Sequence, residues 1–348
     1  MSTIKIQGAG ISGLTAAINL AKEGYSVEVY EKLSDVGKKH KLNFEGLENW
    51  TSDAMSLLRE INLDTDFKKR AINEVNWFSP DFNAVRMRAK KPFFYLVERG
   101  GKESIEYSLK EQALLQGVKF KFKSAGRAHI VSFGARKPKA MGLSTIYENV
   151  DYKDCVIGIL SDKMSPKGYF YIIVWDNRAT VCTTSTDIDK FGTLNVLHKK
   201  NLKCKICSDL LQDSKIKSSF SGFANFNIPK TAISRGKIYT SEAAGFQDYL
   251  LGFGMKYAFL SGYYAAKSII EKTSYDRLWK QSFENEMKKT ALIRYFINKN
   301  GDRAYEEIIK NLKNEKNYRA RLRRTYCEYN WKHKILYNFL KIKSSLEK

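Results

Sequence analysis

The chain begins with a short alternation of apolar and polar residues, Ile4 and Ile6 against Lys5 and Gln7. That is the period of a buried strand. From Ile11 the spacing changes, and Leu14, Ala17, Ile18 and Ala21 recur at three- and four-residue steps, on one face of a helix. Gly24 ends that helix, and Val27 and Val29 alternate in a second strand that stops at Glu31. Strand, helix and strand in this order make a βαβ unit. Far downstream, Lys237 to Thr240 reads as another strand, and an apolar helix is expected from about Met255 to Ile270. Between these parts, "KGYFYIIVWDNRATVCTT" and "MGLSTIYENVDYKDCVIGIL" read as antiparallel strands joined by turns. In the first, Tyr169, Tyr171, Ile173 and Trp175 alternate with Phe170, Ile172 and Val174, so both faces are apolar and both must be covered. A packed helix or a ligand cavity would serve. From about Ser274 the chain is helical and mixes aromatics with Lys and Arg, as in "NYRARLRRTYCEYNWKHKILYNFLKIK".

At 348 residues and 43% hydrophobic, the chain can bury a core large enough for two compact domains or one elaborate one. It shows no repeat and no low-complexity tail. No apolar run approaches the roughly 18 residues of a membrane span, and the first residues enter a strand at once, so a cytoplasmic protein is expected. Five cysteines are too few and too scattered for a disulfide framework. Cys204 and Cys207 form a lone CxxC, which reads as coincidence or as a dithiol feeding electrons to a cofactor. The 60 Lys and Arg against 37 Asp and Glu give a net charge of +23. Such a field draws nucleic acid, anionic lipid headgroups or phosphorylated substrates, although lysines on helix faces also serve solubility. The four histidines are dispersed, and no Ser-His-Asp order or metal-ligand cluster stands out.

The first glycine cluster carries the sharper signal. Gly8, Gly10 and Gly13 form GxGxxG directly after the first strand, with Ile11 and Ser12 opening the helix. Gly8 permits the tight turn, Gly10 lets a pyrophosphate approach the backbone, and Gly13 lets helix and strand pack closely. The helix N-terminus offers N–H groups and a positive dipole end to the phosphates. Glu31, followed by Lys32, stands at the distance where an acid accepts the ribose hydroxyls. The motif implies a dinucleotide, and NAD and FAD both satisfy it.

A second cluster precedes the downstream helix: Glu242 and Gly245, then Gly252, Gly254 and Met255. "SEAAGFQDYLLGFGMKYAFLSGYYAA" resembles the pattern Gly-Asp-Ala-Ala-Gly-Phe, a loop, Gly-x-Gly-Ile, then Ser-Gly-x-x-Ala-Ala. That pattern belongs to the geranylgeranyl reductase family of FAD enzymes, within the p-hydroxybenzoate hydroxylase fold group. "SPKGYFYIIVW" is similar to the family's Gly-Tyr-x-Trp-x-Phe-Pro strand, and "FYLVERGGKESIEYSLKEQALLQGVKFKF" to its strand–Arg–helix–strand segment. Departures are clear. Ser241 and Glu242 replace Gly and Asp, Tyr171 stands at the Trp position, Ile173 and Val174 replace Phe-Pro, and Asn43 stands where many members have Cys.

The resemblance implies an α/β fold. A discontinuous Rossmann-type FAD domain is expected over 1–45, 96–138 and 235–272. An antiparallel-sheet substrate domain is expected over 46–95 and 139–234, and a C-terminal helical region over 273–348. It places Arg99 near the FAD phosphates and the flavin near Gly252–Met255. The activity it implies is FAD-dependent reduction of C=C bonds in a prenyl or isoprenoid lipid, fed by an unidentified electron donor, with Tyr169, Tyr171 or His40 supplying the proton. The basic C-terminal helices can contact an anionic membrane peripherally or cover a domain as a solvated cap. A flavin monooxygenase of the same fold is the nearest alternative, but its usual Asp-Gly motif is absent at Phe133-Gly134. A basic flavoprotein binding nucleic acid is the other, though no nucleic-acid module is recognisable.

Overall fold

A computed structural model describes residues 3–135 and 138–346, and three sheets form among them. The strand Ile4–Gln7 lies near the centre of a six-stranded sheet, between Val27–Tyr30 and Ile130–Val131 and parallel to both. Lys119–Lys121 extends the sheet on one side, and Lys237–Tyr239 with Ile233–Ser234 on the other; only that last pair is antiparallel. The helices Ile11–Lys22 and Met255–Ile270 occur where the apolar spacing places them. They pack on each other through small residues. A Cβ at Gly262 would collide with the Ser12 backbone, and Ala265 and Ala266 are fully buried.

The second sheet has seven strands, in the order Lys215–Ala224, Ala140–Glu148, Arg178–Ser185, Phe170–Trp175, Cys155–Ile159, Glu74–Phe78, Ala84–Arg88. Its one parallel pairing joins Cys155–Ile159 to Glu74–Phe78. The strands on either side of Asp151 do not pair with each other as sequence order suggests. The hairpin Phe170–Ser185 lies between them. Its tight turn explains the insertion: Asp176 (φ 56°) and Asn177 (φ 58°) form the two-residue left-handed turn whose twist matches the flanking strands.

The doubly apolar strand uses both of its covers. Phe170, Ile172 and Val174 pack with Leu210 and Cys207, under the helices Leu194–Asn201 and Lys205–Leu210. Tyr169, Tyr171 and Ile173 face a cavity. A third sheet, Lys69–Ile72, Phe94–Glu98 and Phe44–Glu48, is antiparallel and stands beside that cavity.

The C-terminal helical region is more than a solvated cap. Tyr275, Trp279 and Phe283, one turn apart, are fully buried and pack with Phe246 in the core of the parallel-sheet domain. Further on, fully buried Tyr326 donates its hydroxyl to Asp248 (2.9 Å), tying the helix Tyr318–Cys327 to the loop before Met255.

Candidate cofactor and substrate site

One cavity of about 1090 Å³ runs from the Gly8–Ser12 turn to the aromatic face of the seven-stranded sheet. Single-ligand pockets reach about 1,000 Å³, so this hollow has room for more than one small molecule.

The cradle is built by close backbone approach. Gly8 has φ 107°, donates its N–H to Tyr30 (2.7 Å), and would strike the Ser132 carbonyl if it carried a Cβ. Gly13 sits against the Gly8 carbonyl and lies behind the cavity wall. Gly10 differs from both. A Cβ there would meet no atom within 4 Å, and the residue lines the cavity. Gly10 also brings no capping side chain to the helix start, which leaves the first-turn N–H groups to a ligand. Ser12 is buried and accepts the Thr240 hydroxyl (3.1 Å), which in turn meets Ser132 (2.6 Å), locking three segments together. Glu31 is held at the cavity edge by the N–H groups of Ala9 and Leu33, both at 3.0 Å. Each carboxylate oxygen keeps a lone pair for a ribose hydroxyl. Lys32 lines the cavity beside it and is exposed.

Arg99 is the centre of a buried ion cluster. Its Nε donates to Glu106 (2.6 Å), and its terminal nitrogens to Glu45 and to His40 Nε2 (2.9 Å). Arginine has only donors, so His40 Nε2 accepts and that ring is neutral. Burial and the Arg99 charge both lower the His40 pKa. Burial pushes Glu45 up, but Arg99 outweighs it and holds the carboxyl well below the usual range. Much of the Arg99 fork is thus already engaged, and it lines the cavity as a positioning group.

The second glycine cluster divides. Glu242 lines the cavity, and burial raises its carboxyl. Gly245 does not line it: with φ 87° it packs on the Asn227 carbonyl, so its place is structural. Gly252 (φ 77°), Gly254 and Met255 form the wall at the start of the downstream helix. Sequence reasoning missed what holds this loop. Asp248 accepts the N–H groups of Leu250 (2.9 Å), Leu251 (3.0 Å) and Phe253 (3.4 Å), while Arg294 donates to the carbonyls of Tyr249 (3.1 Å) and Leu250. Arg294, a lone cation in the apolar run "TALIRYF", was the available signal. Gln247 Oε1 and Trp50 Nε1 are buried without a hydrogen-bond partner, and both residues line the cavity. Both atoms are sealed from the cavity, Gln247 Oε1 against Gly254 and Trp50 in the aromatic cluster with Phe253 and Tyr326.

The other end is aromatic and apolar. The Tyr169 ring lies 5.9 Å from that of Trp77 and 5.7 Å from that of Tyr171. The Tyr169 hydroxyl donates to the Leu251 carbonyl (2.5 Å), and the Tyr171 hydroxyl meets the Cys182 thiol. Burial raises both phenols far above their ordinary value, so both stay protonated. Burial also pushes Cys182 up to about 11. Phe133 and Gly134 line the cavity; the nearby Arg136 and Lys137 lie outside the described residues. Cys207 packs on the opposite face of the sheet, so the CxxC is remote from this cavity.

Residues 6–41 match the model of the NAD(P)-binding Rossmann-like domain family. Comparison with curated proteins gives no sequence match. Among solved structures, a geranylgeranyl bacteriochlorophyll reductase-like protein from Thermoplasma acidophilum is similar over 90% of this chain and 92% of its own. The TM-score is 0.76 and the identity 18%. The flavin-dependent brominase Bmp2 is similar over 100% of both chains, with TM-score 0.69 and 15% identity. The p-nitrophenol 4-monooxygenase PnpA from Pseudomonas putida DLL-E4 is similar over 94% of this chain and 99% of its own, with TM-score 0.66 and 12% identity. At these identities the likeness is one of fold. The chain has the architecture of flavin-dependent oxidoreductases, a Rossmann-type α/β domain with further sheets and a C-terminal helical region.

Proposed function

We propose that the protein is an FAD-dependent oxidoreductase that saturates C=C bonds of a prenyl chain on an isoprenoid lipid. The observation that carries this reading is the continuity of the cavity: the dinucleotide cradle and the compartment under Trp77, Tyr169 and Tyr171 are one space. The residues present fit FAD. Gly10 leaves room for a pyrophosphate, and Glu31 awaits ribose hydroxyls. Bound there, FAD would supply hydride transfer to one alkene carbon. The fold likeness to a geranylgeranyl reductase-like protein points the same way.

The chain's own residues do the rest. The helix starting at Met255 presents its N–H groups and positive dipole end to the loop-side ligand. The apolar walls exclude water. Tyr171 lines the cavity with its phenol protonated and is the assigned donor to the second alkene carbon. Tyr169 is committed to the Leu251 carbonyl and shapes the pocket, while neutral His40 positions Arg99. An external donor must reduce the cofactor between turnovers.

The test is direct. Purified protein should carry a flavin spectrum, and the reduced protein should add H₂ to a geranylgeranyl lipid, read by mass spectrometry. Gly10→Val should bind no flavin, because a branched side chain fills the pyrophosphate's space. Tyr171→Ala should keep the spectrum and lose about a hundredfold in reduction rate. A colourless folded protein, or turnover that inserts oxygen or halogen into a substrate, would overturn the proposal.

A further inference from the structure

We infer that the C-terminal helix Trp331–Leu346 seats the protein on the surface of an anionic lipid bilayer. Its inner face is committed to the protein. His333 meets Lys289 (2.5 Å), and Tyr337 lies under Lys288 (5.7 Å to the ring), both on the helix Asn285–Asn300. The outer face carries large apolar groups in the open: Trp331 is 65% exposed, Ile335 62% and Phe339 62%. Spaced every fourth residue, they span an arc of about 80° at 3.6 residues per turn. Lys332 and Lys334 are exposed and flank that arc, one on each side.

An apolar stripe edged by lysines is the pattern of a helix that lies in a membrane interface, with its apolar face at the acyl boundary and its cations among phosphates. The whole-chain charge of +23 has the matching sign. The position also fits. The helix follows Tyr318–Cys327 after three residues, and Arg321, Leu322 and Thr325 of that helix line the cavity, Arg321 being exposed. A chain drawn from the bilayer would therefore enter beside the docked helix. This link to the cavity rests on the prenyl-lipid reading; the surface itself does not. Trp331, Ile335 and Phe339 are the docking groups, whereas Arg321 borders the cavity and Arg324 is paired with Glu315 (3.4 Å).

The experiment is co-sedimentation of the full chain with phosphatidylcholine vesicles, with and without phosphatidylglycerol, at low and high salt. Binding should require phosphatidylglycerol and weaken with salt. Ile335→Asp with Phe339→Asp should reduce it at least tenfold, and Lys332→Ala with Lys334→Ala about 25-fold, at about fivefold for each lysine. All variants should keep the wild-type circular dichroism melt and flavin spectrum, since these side chains touch neither core nor cavity. Their turnover of a short soluble prenyl substrate should be unchanged; vesicle binding without any prenyl reduction would sink the proposed activity and leave the surface standing. The inference fails if the wild type ignores anionic vesicles, or if the aspartate variant binds them equally well. It also fails if the stripe proves to be a self-interface, seen as a wild-type dimer that the aspartate variant dissolves, or if retention is on RNA instead of vesicles.

Discussion

His198 is held between two threonine hydroxyls, Thr145 and Thr183, each 2.9 Å from a ring nitrogen. Burial alone lowers its pKa to about 4, against about 6.5 for a free histidine. A depressed value means that the unfolded chain binds the extra proton first. Stability from this group is therefore complete above pH 6.5 and is lost as pH falls toward 4. The gap corresponds to about 3 kcal/mol. Denaturant unfolding followed from neutral pH to about pH 4 should show a steeper loss for wild type than for His198→Gln; parallel curves would refute the assignment. Spacing along the chain marked His198 only as isolated, because its two partners lie 53 and 15 residues away. Single residues were legible where a backbone need is local, as at Gly8 and Gly13. They were illegible where a partner is distant, as for Arg99 with Glu45 and His40, 54 and 59 residues away.

Helices with a clean period and a glycine break could be read at the level of elements. Met255–Ile270 is the clearest case, since its small residues and preceding Gly252 and Gly254 are contiguous in sequence. Strand neighbours were less accessible. The alternation in Ala140–Glu148 and Cys155–Ile159 showed two strands but not the hairpin that inserts between them, because pairing order is decided by a turn at Asp176. The C-terminal helices mix aromatic and basic residues around their circumference, so burial of Trp279 and exposure of Trp331 could not be told apart before packing was known. The helix pair itself makes a prediction. A methyl at Gly262 would land on the Ser12 backbone, at the floor of the cradle. Gly262→Ala should cost about 1–3 kcal/mol of stability and weaken flavin binding with it, measured by thermal melt and by titration. An unchanged melt would mean that the two helices can separate without cost.

For the molecule as a whole, the decisive property is that one hollow joins the parallel-sheet domain, the antiparallel sheet and the C-terminal helices. Its walls come from residues as far apart as Gln7 and Thr325, so a ligand filling it braces all three parts. Any ligand bound only by the folded state stabilises it, by about 4 kcal/mol at a thousand times its dissociation constant. Adding FAD to the apoprotein should raise the melting temperature by several degrees, and Gly10→Val should show no rise; equal melts with and without FAD would contradict this.

The same hollow has a consequence for the life of the protein in a cell. On the proposed reading, newly made chains without FAD keep an open interior of about 1090 Å³, walled in part by the loop Asp248–Gly254. Regions of low local stability open first and are where proteases begin. If FAD fills the hollow, capture of the cofactor protects each chain, and abundance should rise and fall with riboflavin supply at constant transcription; abundance that ignores riboflavin would count against it.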